Sequence, residues 1–356
     1  MRGQRKSNYE LLRIITIIFI ISFHYVYKGG FIYETLSVNK MIVNIFTMLG
    51  EVGVNLFIFI TGYFLIQSKK NISIKKVISL ILEIFFYNLL NQLYLNQFDF
   101  SNLINNLTYV DFFPFIYNRY WFGTAYILLY IFSPYINRLL LTLSHKENLR
   151  LLLTLLIVFC FIPTFFGMKI NDTETLLYYN RFIWLIVVYI SGALIYLYGN
   201  TIKFFNYSCI CYFLLAITFF IIIVGIIFII EYYHNFFATF GIMNSTYFWR
   251  PNTIVTYVWS LLIFLFFSKL KIQNTIINVM AATTFGIYLL HDGVANPILW
   301  GSVFKNSTHM YSRYLIFHIL LASVIIFVLG CIIDLARQYA IKMTVFLYRR
   351  IQKRRI

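Results

Sequence analysis

Charge is scarce in this chain. Asp, Glu, Lys and Arg make up 12% of its 356 residues, where a soluble globular protein carries about 25%. With 61% hydrophobic residues and a mean hydropathy of +0.78, that shortage excludes a soluble enzyme and a disordered chain. Cysteine is sparse too. Cys160, Cys209, Cys211 and Cys331 all lie in apolar stretches, so a disulfide scaffold is excluded and they read as small hydrophobes. No linker or low-complexity stretch divides the sequence. No internal repeat is present, so the inverted-repeat signature of many transporters is missing. Zinc-ligand spacing, a phosphate-binding glycine loop and a nucleophile elbow are also lacking, so no metal site is expected. Nor do polar and apolar residues alternate in segments of about ten, as a transmembrane β-barrel requires.

Long apolar sequence is what the chain has in abundance. A transmembrane helix needs about 20 mostly apolar residues. Ten segments meet or approach that length: 11–28, 41–67, 77–95, 121–141, 150–168, 178–198, 207–230, 253–268, 276–292 and 312–336. The eighth is short, and the fourth contains Pro134. The expectation is an all-α polytopic membrane protein with one membrane-embedded domain over 1–356. The first segment follows Arg2, Arg5 and Lys6 as a signal peptide would. It lacks a small-residue cleavage site and precedes nine further spans, so it reads as a retained helix.

The net charge of +17 has a topological explanation. With the N-terminus inside, the inner segments hold 20 Lys and Arg and the outer loops eight. That asymmetry places both termini in the cytoplasm. The surplus then faces anionic lipid at the cell membrane, with no call for nucleic acid, and 342–356 reads as a basic cytoplasmic tail. The longest outer loops, 96–120, 231–252 and 293–311, are about 20 residues or slightly longer and leave no room for a soluble domain. Chemistry must come from the helices and these loops.

Ionisable groups inside a membrane are costly and mark candidate sites. The first span carries Glu10, Arg13 and His24. Glu10 and Arg13 are spaced to pair on one helix face. Arg13 and His24 are close to three whole turns apart, so they share a face about 16 Å apart along the axis. Imidazole suits proton transfer near neutral pH, and an arginine below it suits an anionic ligand. The alternative is an interfacial ion pair with a satisfied histidine nearer the outer end. In the second span Gly50, Gly53 and Gly62 permit close helix approach, and Asn55 is either helix glue or a lining residue. Lys69, Lys70, Lys75 and Lys76 follow, as a topology signal, a landing site for phosphates, or both. Trp121 opens the fourth span as part of an aromatic belt. His291 and Asp292 end the ninth, about 100° apart around the helix, which points His291 to binding or structure ahead of catalysis. Glu83, within the third span, has no evident role.

In order along the chain, these residues resemble the bacterial membrane-bound acyltransferase-3 family, which O-acylates cell-surface carbohydrates. The acidic residue, Arg and His of its first helix appear here as Glu10, Arg13 and His24, with Glu where Asp is commoner. The second-helix pattern appears as Gly53, Val54, Phe57, Thr61, Gly62 and Tyr63, followed by Lys75 and Lys76 where the family often has a pair of arginines. Trp121, Phe122 and Tyr126 match a middle helix, and Gly286, Ile287, Tyr288, Leu289 and His291 a late one. The resemblance spans nearly the whole chain and implies the stand-alone form.

The resemblance implies an acyl-CoA donor, most often acetyl-CoA, as co-substrate rather than a resident cofactor, and a sugar hydroxyl as acceptor. His24, Arg13 and Glu10 are then the expected catalytic group. Arg13, Lys69, Lys70, Lys75 and Lys76 would hold the donor. Asn55, Trp121, Tyr126, Tyr288 and His291 would meet the carbohydrate. His24 would act as general base or carry the acyl group itself. A flippase, exporter or polymerase of a lipid-linked glycan is the competing expectation, and dependence on a thioester separates them.

Overall fold

The structure is a computed structural model that describes residues 5–68, 72–117, 119–165, 180–239, 245 and 249–353. Lys69, Lys70 and the end of the basic tail lie outside the described residues. Among the described residues there is no strand. The long helical elements, in chain order, are α1 (Ser7–Tyr27), α2 (Val38–Leu65), α3 (Ile74–Leu95), α4 (Trp121–Thr142), α5 (His145–Phe165), α6 (Arg181–Tyr198), α7 (Cys209–Tyr232), α8 (Ile254–Lys269), α9 (Thr275–His291) and α10 (Leu315–Lys353). Eight are long and apolar enough to cross a membrane, and α8 and α9 are shorter apolar helices. They answer the apolar segments of the sequence one for one.

Polar residues set where the helices begin. Ser37, Ser73, Ser144, Asn180, Ser208, Thr253 and Asn274 each accept a backbone N–H of the first turn, satisfying donors that lipid cannot. Prolines interrupt the hydrogen-bond ladder of two spans, and each freed carbonyl finds a new donor. Pro134 in α4 removes the N–H that would reach Tyr130, and the Ser133 hydroxyl donates to that carbonyl at 2.8 Å. Pro163 in α5 follows a widened turn over Ile157–Phe161, and the Asn252 amide donates to the Phe159 carbonyl at 3.1 Å.

α1 is central, packed against α2, α8, α9 and α10, while α2 also packs on α6 and α8. The Ser22–Ser323 hydroxyl pair, at 2.9 Å, and the Tyr25–His318 hydrogen bond set α1 antiparallel to α10, so the start of α1 and the end of α10 lie on one side of the bundle. Gly62 of α2 and Gly192 of α6 face each other. A Cβ on Gly62 would meet the Tyr189 backbone, and one on Gly192 the Phe59 backbone. Only hydrogen at both positions allows this approach.

Two boundaries differ from expectation. α10 runs on to Lys353 instead of ending near 336, because 337–353 contains neither Pro nor Gly to stop it. Its 39 residues span about 58 Å, well beyond a hydrocarbon core of about 30 Å, so the described part of the basic tail is a helix continuing past the membrane. α9 breaks between Ala281 and Thr284, where the Thr283 hydroxyl turns back to the Met280 carbonyl at 2.7 Å.

Candidate active site

A cavity of about 1010 Å³ opens between α1, α2, α3, α4 and α9. That is at the top of the usual range for a ligand site, enough for a long molecule. Arg13, Thr61 and Lys76 line it toward the inner side, and Lys28, Arg119, Arg181 and Arg250 toward the outer side. His24 lies on the wall between them. The helical spacing expected Arg13 and His24 on one face, and both face this cavity.

His24 is 6% exposed and held on both sides. Its Nδ1 is 2.9 Å from His291 Nε2, and its Nε2 is 3.5 Å from Asp292 Oδ1. The proton positions follow from what each partner can do. His291 Nδ1 lies 2.6 Å from the Ile287 carbonyl, which only accepts, so Nδ1 carries the hydrogen. His291 Nε2 then has a lone pair and accepts the proton on His24 Nδ1. His24 Nε2 is left with its lone pair, beside the Asp292 carboxylate. Lys28, one turn beyond His24, forms an ion pair with that same carboxylate. The arrangement makes Nε2 a base whose protonated form meets a carboxylate at once.

The other expected residues divide. Trp121, Tyr126 and Tyr288 line the cavity with His24. The Tyr288 hydroxyl is buried with no hydrogen-bond partner. Arg13, with its side chain 33% exposed, lies 3.7 Å from Glu10, and Glu10 is off the cavity wall. Lys76 reaches the cavity with its ammonium over the Tyr130 ring at 4.2 Å, whereas Lys75 is exposed and outside it. His291 is also off the wall, with its Nε2 against His24 Nδ1. Asn55 is placed as helix glue. It is fully buried, donates to the Pro251 carbonyl at 2.8 Å and accepts the Trp184 indole N–H at 2.9 Å.

Three residues of the region were not singled out for the site from the sequence. Lys28 is four residues after His24 and so on the same helix face, a signal that was available. Arg119 and Arg181 begin or precede helices and carry no local pattern. Arg119 lies 3.5 Å from Asp111, and Arg181 stacks over Trp121 at 4.7 Å. Burial of Asp111 opposes its ionisation. Hydrogen bonds from the Thr108 backbone and hydroxyl and from Gln92 outweigh that and hold its carboxyl below the usual carboxylate range.

Glu83 finds its partner far along the chain. Arg337 of α10 pairs with it at 2.6 Å and with Asp334 at 2.7 Å, and the Tyr87 hydroxyl donates to Asp334 at 2.8 Å. This cluster does not line the cavity.

A family model described as an acyltransferase domain, that of the acyltransferase-3 family, matches residues 6–336. No curated protein and no solved structure matches the chain.

Proposed function

The chain belongs to the acyltransferase-3 family and is a multi-pass membrane acyltransferase, and from that premise we propose that it moves an acyl group, most simply acetyl, from cytoplasmic acyl-CoA to a hydroxyl of a cell-envelope carbohydrate. The observation that carries this reading is the His24 Nε2 lone pair, held on the wall of a cavity reaching from Arg13 and Lys76 to the outer arginines.

The donor enters from the inner side. Lys76 and Arg13 attract its phosphates, and the pantetheine arm, of the same order of length as the Arg13–His24 separation, brings the thioester to His24. The acceptor enters from the outer side. His24 Nε2 takes the proton of the acceptor hydroxyl as that oxygen attacks the thioester carbonyl carbon. Asp292 stabilises the imidazolium, and His291 fixes the ring. The buried Tyr288 hydroxyl is a donor available to the carbonyl oxygen as it gains charge. The C–S bond then breaks, and the imidazolium returns its proton to the leaving thiolate. An ester and free CoA thiol result, and His24 is neutral again.

The test is release of CoA thiol from acetyl-CoA by purified protein in liposomes, with a surface-glycan extract as acceptor. Wild type is expected to release thiol and His24→Ala to lose it by about 10²–10⁴-fold. Full release by His24→Ala from a folded protein would overturn the mechanism. No release by folded wild type across acyl chain lengths would favour glycan transport.

A further inference from the structure

The outer half of the cavity is rich in donors and poor in acceptors. Four cations line it, Lys28, Arg119, Arg181 and Arg250, against two carboxylates, Asp292 and Glu51. Asp292 is already committed to Lys28 and His24. Arg181 has Glu51 as an electrostatic neighbour but no salt bridge within 4.0 Å among the described residues, and its guanidinium lies over the Trp121 ring at 4.7 Å. Arg119 has only a long contact with Asp111, a carboxylate that also accepts from Thr108 and Gln92, and its Nε is buried without a partner. Trp249 lines the same region, is 2% exposed, and its indole N–H is also unpartnered.

A neutral sugar unit offers as many donors as acceptors, and its hydroxyls would bring no negative charge to the guanidiniums of Arg119 and Arg181. A phosphate or carboxylate offers acceptors only. Arginine guanidinium matches both in planar, paired hydrogen bonds. Trp121, Phe122 and Tyr126 supply flat apolar faces for a sugar ring beside the arginines.

We infer that the acceptor is acidic: a carbohydrate carrying a phosphate or carboxylate, bound by Arg181, Arg119 and Trp249 while its hydroxyl reaches His24. This rests on the reading of the outer half of the cavity as the acceptor side. The anion sets which sugar unit docks, and so which hydroxyl faces the base.

The experiment measures equilibrium binding of radiolabelled glucose 1-phosphate, glucuronic acid and glucose to the full chain in phosphatidylcholine nanodiscs. Both acidic sugars are expected to bind at least tenfold more tightly than glucose. Arg181→Gln and Arg119→Gln should each weaken them by about tenfold. Arg313→Gln removes the same charge from the outer side but outside the cavity, over Tyr314, and should change nothing. Equal binding of all three sugars would overturn the inference. So would an effect of Arg313→Gln as large as that of Arg181→Gln, which would indicate a general field. If phosphatidylglycerol in the disc abolished the sugar-phosphate signal, the arginines would hold a lipid headgroup and the inference would also fall. Binding as expected, with no CoA thiol released under any condition, would support an acidic ligand and reject acyl transfer, so the two ideas fail separately.

Discussion

Two buried ionic clusters tie α9 or α10 to the rest of the bundle, and they differ in one respect. In the cluster of Glu83, Tyr87, Asp334 and Arg337, both carboxylates are paired with the guanidinium, and Tyr87 and Gln338 donate to Asp334. Its centre, Asp334, is fully buried, and each of its carboxylates has a cation. In the cluster of His24, Lys28, His291 and Asp292, His291 takes one imidazole nitrogen, and the other has only the Asp292 carboxylate beside it, at 3.5 Å, on a residue that lines a cavity. Intramembrane charge alone therefore does not identify a reaction centre. A charge network with all its valences used holds helices together, and one with a lone pair left over can do chemistry.

The largest effect should come from opening the Glu83–Arg337 cluster. Arg337→Leu leaves two buried carboxylates without their cation and should cost about 3–5 kcal/mol, read as a fall in thermal stability of the purified protein. Adding Glu83→Leu should recover part of that, because Asp334 keeps Tyr87 and Gln338. If Arg337→Leu were as stable as wild type, the two clusters would not differ in kind.

Asp292→Asn should act the other way round. It removes the carboxylate that receives the imidazolium, and kcat should fall about ten- to a hundredfold, or roughly 1.4–2.7 kcal/mol of barrier. Its thermal midpoint should move less than that of Arg337→Leu. A variant that unfolded readily yet kept full kcat would erase the contrast.

Asn55→Ala tests a buried polar group with no charge and no cavity. It strands the Trp184 N–H and the Pro251 carbonyl, at about 1–2 kcal/mol of stability. KM for donor and acceptor should stay as in wild type.

The smallest effect concerns Asp111. A carboxyl held below its ordinary range stabilises the fold above the unfolded value, about 3.9, and loses that contribution as pH falls through the lower folded value. Wild type should therefore lose stability on acidification below about pH 4, measured by thermal unfolding. Asp111→Asn should be less stable at neutral pH and flatter in the acid range.

What the sequence disclosed follows from the reach of its signals. The spans were legible because each is a continuous apolar run. The Arg13–His24 pair was legible because helical spacing relates residues on one helix. Asp292 and His291 diverge around their own helix, which argued against a shared task. They nonetheless meet one partner, because His24, from α1, reaches both. Glu83 waited on Arg337, 254 positions away, and the role of Asn55 depended on Trp184 and Pro251. No periodicity within one segment encodes such meetings between helices. The continuation of α10 was legible in the missing Pro and Gly but was hidden by the habit of ending a helix where hydropathy ends.

The paired glycines bear on how the cavity can change shape. Gly62 and Gly192 set two backbones against each other with no side chain between them. A seam without rotamers has nothing to rearrange, so it behaves as a weld and not a gear. α2 and α6 form one stave of the barrel, and Arg181 at the outer end of α6 keeps a fixed height relative to the glycine-lined wall of α2. Any breathing that widens the cavity must take place across the joints facing that stave. The break in α9 lies a short helical stretch below the imidazole's two partners, so one of those joints is already interrupted next to the base.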